Sequence, residues 1–188
     1  MPCLSLDSTM ATDPELADEL VATVREWIRK DVIPVASEYE HADRYPEPLV
    51  EQMKAFGLFG ARIPEEYGGL ELDVITYARL MEELSYGWMS LAGVLNTHTI
   101  TADLIKRFGT DAQRKTYLPR MVTGEVRAAF SLSEPDAGSD SAAIRCKATP
   151  DGDEYILDGT KMWVTNGERA GLVSLAARAP EGITCFIV

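Results

Sequence analysis

The sequence predicts an α+β protein: an all-helical bundle over residues 1–123, then a partial antiparallel barrel or sandwich of strands over residues 124–188. Three observations predict it. Through the first two thirds of the chain, apolar residues recur at helical spacing. After Thr123-Gly124-Glu125 they alternate with polar ones, as in half-buried strands. At the same point the punctuation changes from helix caps to hairpin turns, and helices first with strands second make two unlike units.

Asp13-Pro14 is a cap followed by proline at the first helical position, with Glu15, Asp18 and Glu19 at the positive end of the dipole. Leu16, Leu20, Val24, Trp27 and Ile28 trace one apolar stripe, and Pro34 ends or bends that helix. Pro46-Glu47-Pro48 opens a second helix with Leu49, Val50, Met53 and Phe56 inward, and Gly57 closes it. Residues 57–69 are dense in Gly and Pro and read as a loop. Asp73 caps a third helix whose expected inner face is Val74, Ala78, Met81 and Leu84. Two more helices follow, over 90–107 and 111–122, separated by Gly109. The expected core is Leu20, Val24, Trp27, Met53, Phe56, Met81, Leu84, Leu104, Ile105 and Phe108.

Strands are expected at 127–132, 144–149, 154–157, 161–165, 172–178 and 183–188. Asp151-Gly152 is the strongest hairpin signal among the turns between them. The last segment, from Gly182 to Val188, is apolar and carries no turn or cap. It leaves an open edge, so the expectation is a piece of a longer polypeptide or a sheet that a partner completes.

Charge excludes some partners. Residues 1–110 hold 19 acidic and 9 basic side chains, and the whole chain has a net charge of −12. An acidic protein is a poor binder of nucleic acid, whose affinity comes from neutralising phosphates. No apolar run is long enough to span a membrane, and a cytoplasmic location is expected. Cys3, Cys146 and Cys185 are odd in number and far apart, and His41 and His98 stand alone, so no metal site is expected.

The most informative residues are two separated segments. Phe130-Ser131-Leu132-Ser133 leads into a turn, Glu134-Pro135-Asp136-Ala137-Gly138-Ser139-Asp140, that offers small side chains and backbone N–H groups. Lys161-Met162-Trp163-Val164-Thr165-Asn166-Gly167 places an aromatic two residues before a hydroxyl. In a strand both would share a face, suiting a planar heterocycle that needs stacking and an edge hydrogen bond.

These segments resemble the flavin-binding core of the acyl-CoA dehydrogenase family. The stretch Leu58-Phe59-Gly60-Ala61-Arg62-Ile63-Pro64-Glu65-Glu66-Tyr67-Gly68-Gly69 is similar to the family's early loop, and Arg107-Phe108-Gly109-Thr110-Asp111 with Tyr117-Leu118-Pro119 to a later turn. The resemblance implies that FAD lies against Phe130, Ser131, Leu132, Ser133, Gly138 and Ser139. Trp163 and Val164 would pack beside the ring, Thr165 would bond near N5, and Ser139 would sit at the mouth of the acyl-CoA channel. Phe130 stands where one common version of the motif has Tyr, and Asp136 where it has Gly. The implied activity is α,β-dehydrogenation of an acyl-CoA thioester in fatty acid metabolism, with hydride passed to FAD and on to an electron-transfer acceptor, by a homo-oligomer (dimer or tetramer). The family's base is a Glu of a C-terminal helical domain, expected beyond Val188, so no catalytic residue is assigned and these 188 residues alone are expected to be inactive. A non-catalytic subunit and a flavin-dependent oxidase or monooxygenase on the same scaffold are the alternatives.

Overall fold

Asp13 accepts from the backbone N–H groups of Glu15 and Leu16 and starts α1 (Pro14–Trp27). The structure, a computed structural model, describes residues 11–188, so Cys3 lies outside the described residues. Ala17, Val21, Val24 and Ile28 form the buried stripe of α1, at i, i+4, i+7 and i+11. Leu16, expected on that stripe, falls beside it and is 55% exposed. Pro34 does not end the helix. A π-helical turn, Ile28–Val32, in which Ile33 N–H reaches back to Ile28 O, takes up the distortion, and α2 (Ile33–His41) continues through the proline.

The helix α3 (Glu47–Ala55) buries Leu49, Val50 and Met53, and Gly57 follows it at φ +71°. The loop beyond turns tightly enough that a Cβ on Gly69 would lie 1.9 Å from Ile63 O. Asp73 caps α4 (Val74–Gly87) through Ile75 N and Thr76 N. Its inner face is Thr76, Leu80 and Leu84, flanked by Tyr77 and Met81. Val74 and Ala78 therefore face solvent, against expectation, because the inward i, i+4 row starts at Thr76. The helices α5 (Met89–Phe108) and α6 (Asp111–Val122) complete the bundle, the latter opened by a capping box between Thr110 and Gln113. Phe108, expected in the core, is 70% exposed. It lines an open groove with Leu104, Tyr117 and Phe186 rather than packing inward.

The fold class is α+β as expected, and the sheet is partial, with no closed barrel. Its strands are β1 (Ala128–Ser131), β2 (Lys147–Asp151), β3 (Glu154–Asp158), β4 (Leu172–Ala179) and β5 (Gly182–Ile187). The pairs β2–β3 and β4–β5 are antiparallel hairpins, the first turning at Gly152. The pairs β1–β4 and β2–β4 are parallel, so the sheet is mixed rather than wholly antiparallel. Long excursions, not hairpins, connect those strands, which is what parallel pairing requires. Ala128 and Leu172 from the sheet, with Val126 just before β1, share one core with Ile63, Ala102, Ile105, Leu118 and Met121 from the helical part.

Candidate functional site

Three buried side chains of the helical part and its facing turn satisfy the backbone of β1. Thr101 Oγ1 donates to Ala129 O at 3.0 Å, His98 Nδ1 accepts from Ala128 N at 3.2 Å, and Asn166 Nδ2 donates to Ala128 O at 3.1 Å. An accepting Nδ1 puts the His98 proton on Nε2, which meets no acceptor in hydrogen-bond geometry among the described residues, and the ring packs edge-on to Phe59 at 4.8 Å. Burial pushes the imidazole down to about 4, so it is neutral at pH 7. This anchoring fixes the strand from which Phe130 and Ser131 project.

Beyond β1 the chain makes a tight turn, with Glu134 N and Ala137 O 2.8 Å apart and the reciprocal pair at 3.2 Å. The Glu134 carboxylate, turned inward, accepts from Arg145 N at 2.6 Å, Cys146 N at 2.9 Å and Lys161 Nζ at 2.9 Å. Burial pushes this carboxyl up; the Lys161 ammonium and the two N–H groups outweigh it and hold the pKa at about 2. Glu134 is thus an ionised structural tie. It also explains why residues 144–146 are irregular and β2 begins only at Lys147. Two of the N–H groups expected to join a strand point at a carboxylate instead.

Lys161 Nζ also donates to Leu132 O at 2.9 Å, and Met162 N donates to Ser133 O at 2.9 Å. These bonds bring the two informative segments side by side. The expected strand over 161–165 is absent, however. One backbone bond does not make a ladder, and Trp163 sits at φ +58°, which breaks the period-two alternation. Trp163 and Thr165 are both exposed nonetheless, Trp163 by 83%, and Val164 between them is half-buried. Phe130, Leu132 and Ser133 are half-buried, Ser131 is buried, and Gly138 and Ser139 are exposed on the turn. Asp136 points to solvent and pairs with Arg145 at 3.3 Å. Thr165 abuts α5, since a Cβ on Gly93 would lie 3.9 Å from its methyl group. On that side a cleft of about 740 Å³ is lined by Tyr39, Tyr45, Trp88, Thr165, Asn166 and Arg169.

Sequence reasoning named His98 only as an isolated histidine that is not a ligand, did not single out Thr101, which carries no local signal, and read Asn166 only as part of a turn. Among the described residues no helix is long and apolar enough to cross a membrane.

Residues 14–125 match the family model for the acyl-CoA dehydrogenase N-terminal domain, and residues 129–188 that for its middle domain. The chain belongs to the acyl-CoA dehydrogenase family. An acyl-CoA dehydrogenase of Bacillus subtilis is 35% identical over 171 residues, covering 88% of this chain and 45% of that protein. A short-chain-specific acyl-CoA dehydrogenase of Clostridium acetobutylicum is 34% identical over 189 aligned positions, covering 97% of this chain and 49% of that protein. The chain thus spans about half the length of the curated acyl-CoA dehydrogenases it matches. A glutaryl-CoA dehydrogenase of Mycobacterium smegmatis, solved in complex with FADH2, superposes with a TM-score of 0.86 at 29% identity, covering 97% of this chain and 47% of that one. The prolyl acyl carrier protein oxidase AnaB superposes at 0.79 with 31% identity, covering 95% and 49%.

Proposed function

We propose that these residues form the flavin-facing part of an FAD-dependent acyl-CoA dehydrogenase acting in fatty acid metabolism. The observation that carries it is the pairing of residues 132–134 with 161–162, which leaves Trp163 exposed one residue beyond a segment bonded to the half-buried Leu132 and Ser133. An indole left 83% in solvent offers an open flat face to a planar ring laid against it. Ser133 and Thr165 supply hydroxyls for the ring edge, Val164 and Phe130 an apolar wall, and Gly138 and Ser139 exposed turn positions toward the FAD, with Ser139 also at the mouth of the acyl-CoA channel. Bound FAD supplies the hydride acceptor. The family likeness to proteins named for acyl-CoA substrates supports that substrate class, and we extend it to a cytoplasmic homo-oligomer that passes electrons to an external acceptor. The functional division we propose is the one between residues 1–123 and 124–188.

Trp163→Ala and Thr165→Ala should each weaken FAD retention or shift the flavin absorption bands, while leaving thermal stability nearly unchanged because both side chains are exposed. Equilibrium FAD titration followed by absorbance checks this, and two variants indistinguishable from the parent would sink the reading.

Proton abstraction next to the thioester needs a free carboxylate. Glu134 is committed to Lys161 and two backbone N–H groups, so it is not that base; we keep to the base that the family resemblance implies, a Glu of a C-terminal helical domain. The 188-residue polypeptide alone should show no turnover. A dye-reduction assay on FAD-supplemented protein of verified mass tests this, and steady reduction with any acyl-CoA would overturn it. One relative, an acyl carrier protein oxidase, favours a second reading in which oxygen takes the electrons; oxygen consumption with no added acceptor distinguishes it.

A further inference from the structure

The turn that presents Trp163 and Thr165 hangs on one buried side chain. Asn166 is 6% exposed and sits at φ +66°, a conformation that Asn tolerates better than most residues. Its amide uses both of its donors and one of its two acceptor sites. Nδ2 donates to Val94 O of α5 at 3.0 Å and to Ala128 O of β1 at 3.1 Å, and Oδ1 accepts from the Tyr45 hydroxyl at 3.2 Å. Two carbonyl oxygens facing one end of the group leave no doubt which end is the NH2. The Asn166 carbonyl accepts from Arg169 N and Ala170 N, both at 2.8 Å. Tyr45 in turn accepts from Arg127 at 3.4 Å, and that guanidinium grips Glu47 at 2.7 and 3.1 Å. One side chain therefore joins the segment before α3, the N-terminal third of α5 and the start of β1.

We infer that Asn166 is a positioning residue for the flavin: it sets where Thr165 and Trp163 stand by tying their turn to both halves of the molecule. Thr165 is its immediate neighbour and is exposed, so little besides the backbone holds the hydroxyl in place. Trp163 is three residues away, and the turn between them is closed by Gly167 N donating to Val164 O at 2.9 Å. Hydrogen-bond donors lose most of their effect when displaced by about 1 Å. The inference rests on the flavin reading above, and it adds a residue that does not itself touch the cofactor.

The test uses the polypeptide at its full natural length. Asn166→Gly keeps the left-handed backbone and removes the amide. Asn166→Asp keeps the size and turns two donors into acceptors that face two carbonyl oxygens. Thr165→Ala is the reference for a direct contact. Asn166→Gly should weaken FAD binding roughly 10- to 100-fold, the equivalent of losing two or so buried hydrogen bonds. It should shift the bands of the flavin that remains bound, and speed amide exchange over 163–170 in the FAD-free protein while leaving the β2–β3 hairpin unchanged. Asn166→Asp should bind FAD weakly at neutral pH and recover as pH falls, because only a protonated carboxyl can donate to Val94 O or Ala128 O. Unchanged exchange over 163–170 in Asn166→Gly overturns the inference. So do unchanged FAD affinity and bands in that variant while Thr165→Ala alters them. Should Asn166→Gly fail to fold, the Asp variant decides, and a pH profile parallel to that of the parent overturns the inference. If the parent binds FAD but neither Thr165→Ala nor Trp163→Ala changes the flavin, the contact reading itself has failed, and the inference falls with it.

Discussion

Glu134 lies inside the most family-specific run of the chain, and a carboxylate in a flavin motif invites a catalytic role. Its surroundings say otherwise. Both it and Lys161 are almost completely buried, and each is satisfied by backbone groups as well as by the other. Breaking such a pair from one side leaves an unpaired buried charge, which costs about 3–5 kcal/mol. Glu134→Gln should therefore lower unfolding free energy by that order in urea titration, with the loss falling on residues 132–146 and 161–165. Pairing it with Lys161→Met should recover part of the loss, since no charge is then stranded. If the double variant is as unstable as the sum of the singles, the ion pair is not what holds the two segments together.

At the scale of elements, the helices were legible because their signals are local. Asp13, Asp73, Gly57 and Gly109 act within one turn of the helix ends they mark, and α6 begins and stops where the sequence expects. Faces were less legible than boundaries. Val74 and Leu16 are apolar and correctly spaced, but which of two adjacent rows turns inward depends on the neighbour it packs against. The strand unit follows the same rule. Asp151-Gly152 marks its hairpin because the turn is local, whereas the parallel pairing of β1 with β4 joins residues some 40 apart and leaves no local trace. The failure at 161–165 is of the same kind. Its apolar alternation is genuine, yet tertiary ties through Lys161, Met162 and Asn166 impose left-handed backbone at Trp163 and Asn166. The candidate site was legible as residue types in two motifs; the buried side chains that seat it, His98, Thr101 and Asn166, were not.

For the whole molecule, the decisive contact is the one between helices and sheet, and His98 places a titratable group inside it. The ring is fully buried, with Nδ1 bonded to Ala128 N. Desolvation lowers its pKa from 6.5 to about 4, and the neighbouring backbone of Phe59 and Met121 acts in the opposite direction without offsetting it. A histidine whose folded pKa is depressed is protonated more readily when unfolded, so stability is complete above pH 6.5 and falls as pH drops toward 4. The full loss is on the order of 3 kcal/mol, since the group is too buried for solvent screening to reduce it much. Glu134 acts in a second, lower window: its depressed carboxyl favours folding above pH 4.5, and that contribution disappears as pH falls toward 2. Acid should therefore weaken the molecule in two steps, first at the joint between helices and sheet and then at the turn. His98→Asn keeps an acceptor for Ala128 N and cannot be protonated. Its unfolding free energy, measured by denaturant titration at several pH values, should be flat where that of the parent slopes between pH 6.5 and 4, with the lower step intact. A slope equal to the parent's would place the acid sensitivity elsewhere.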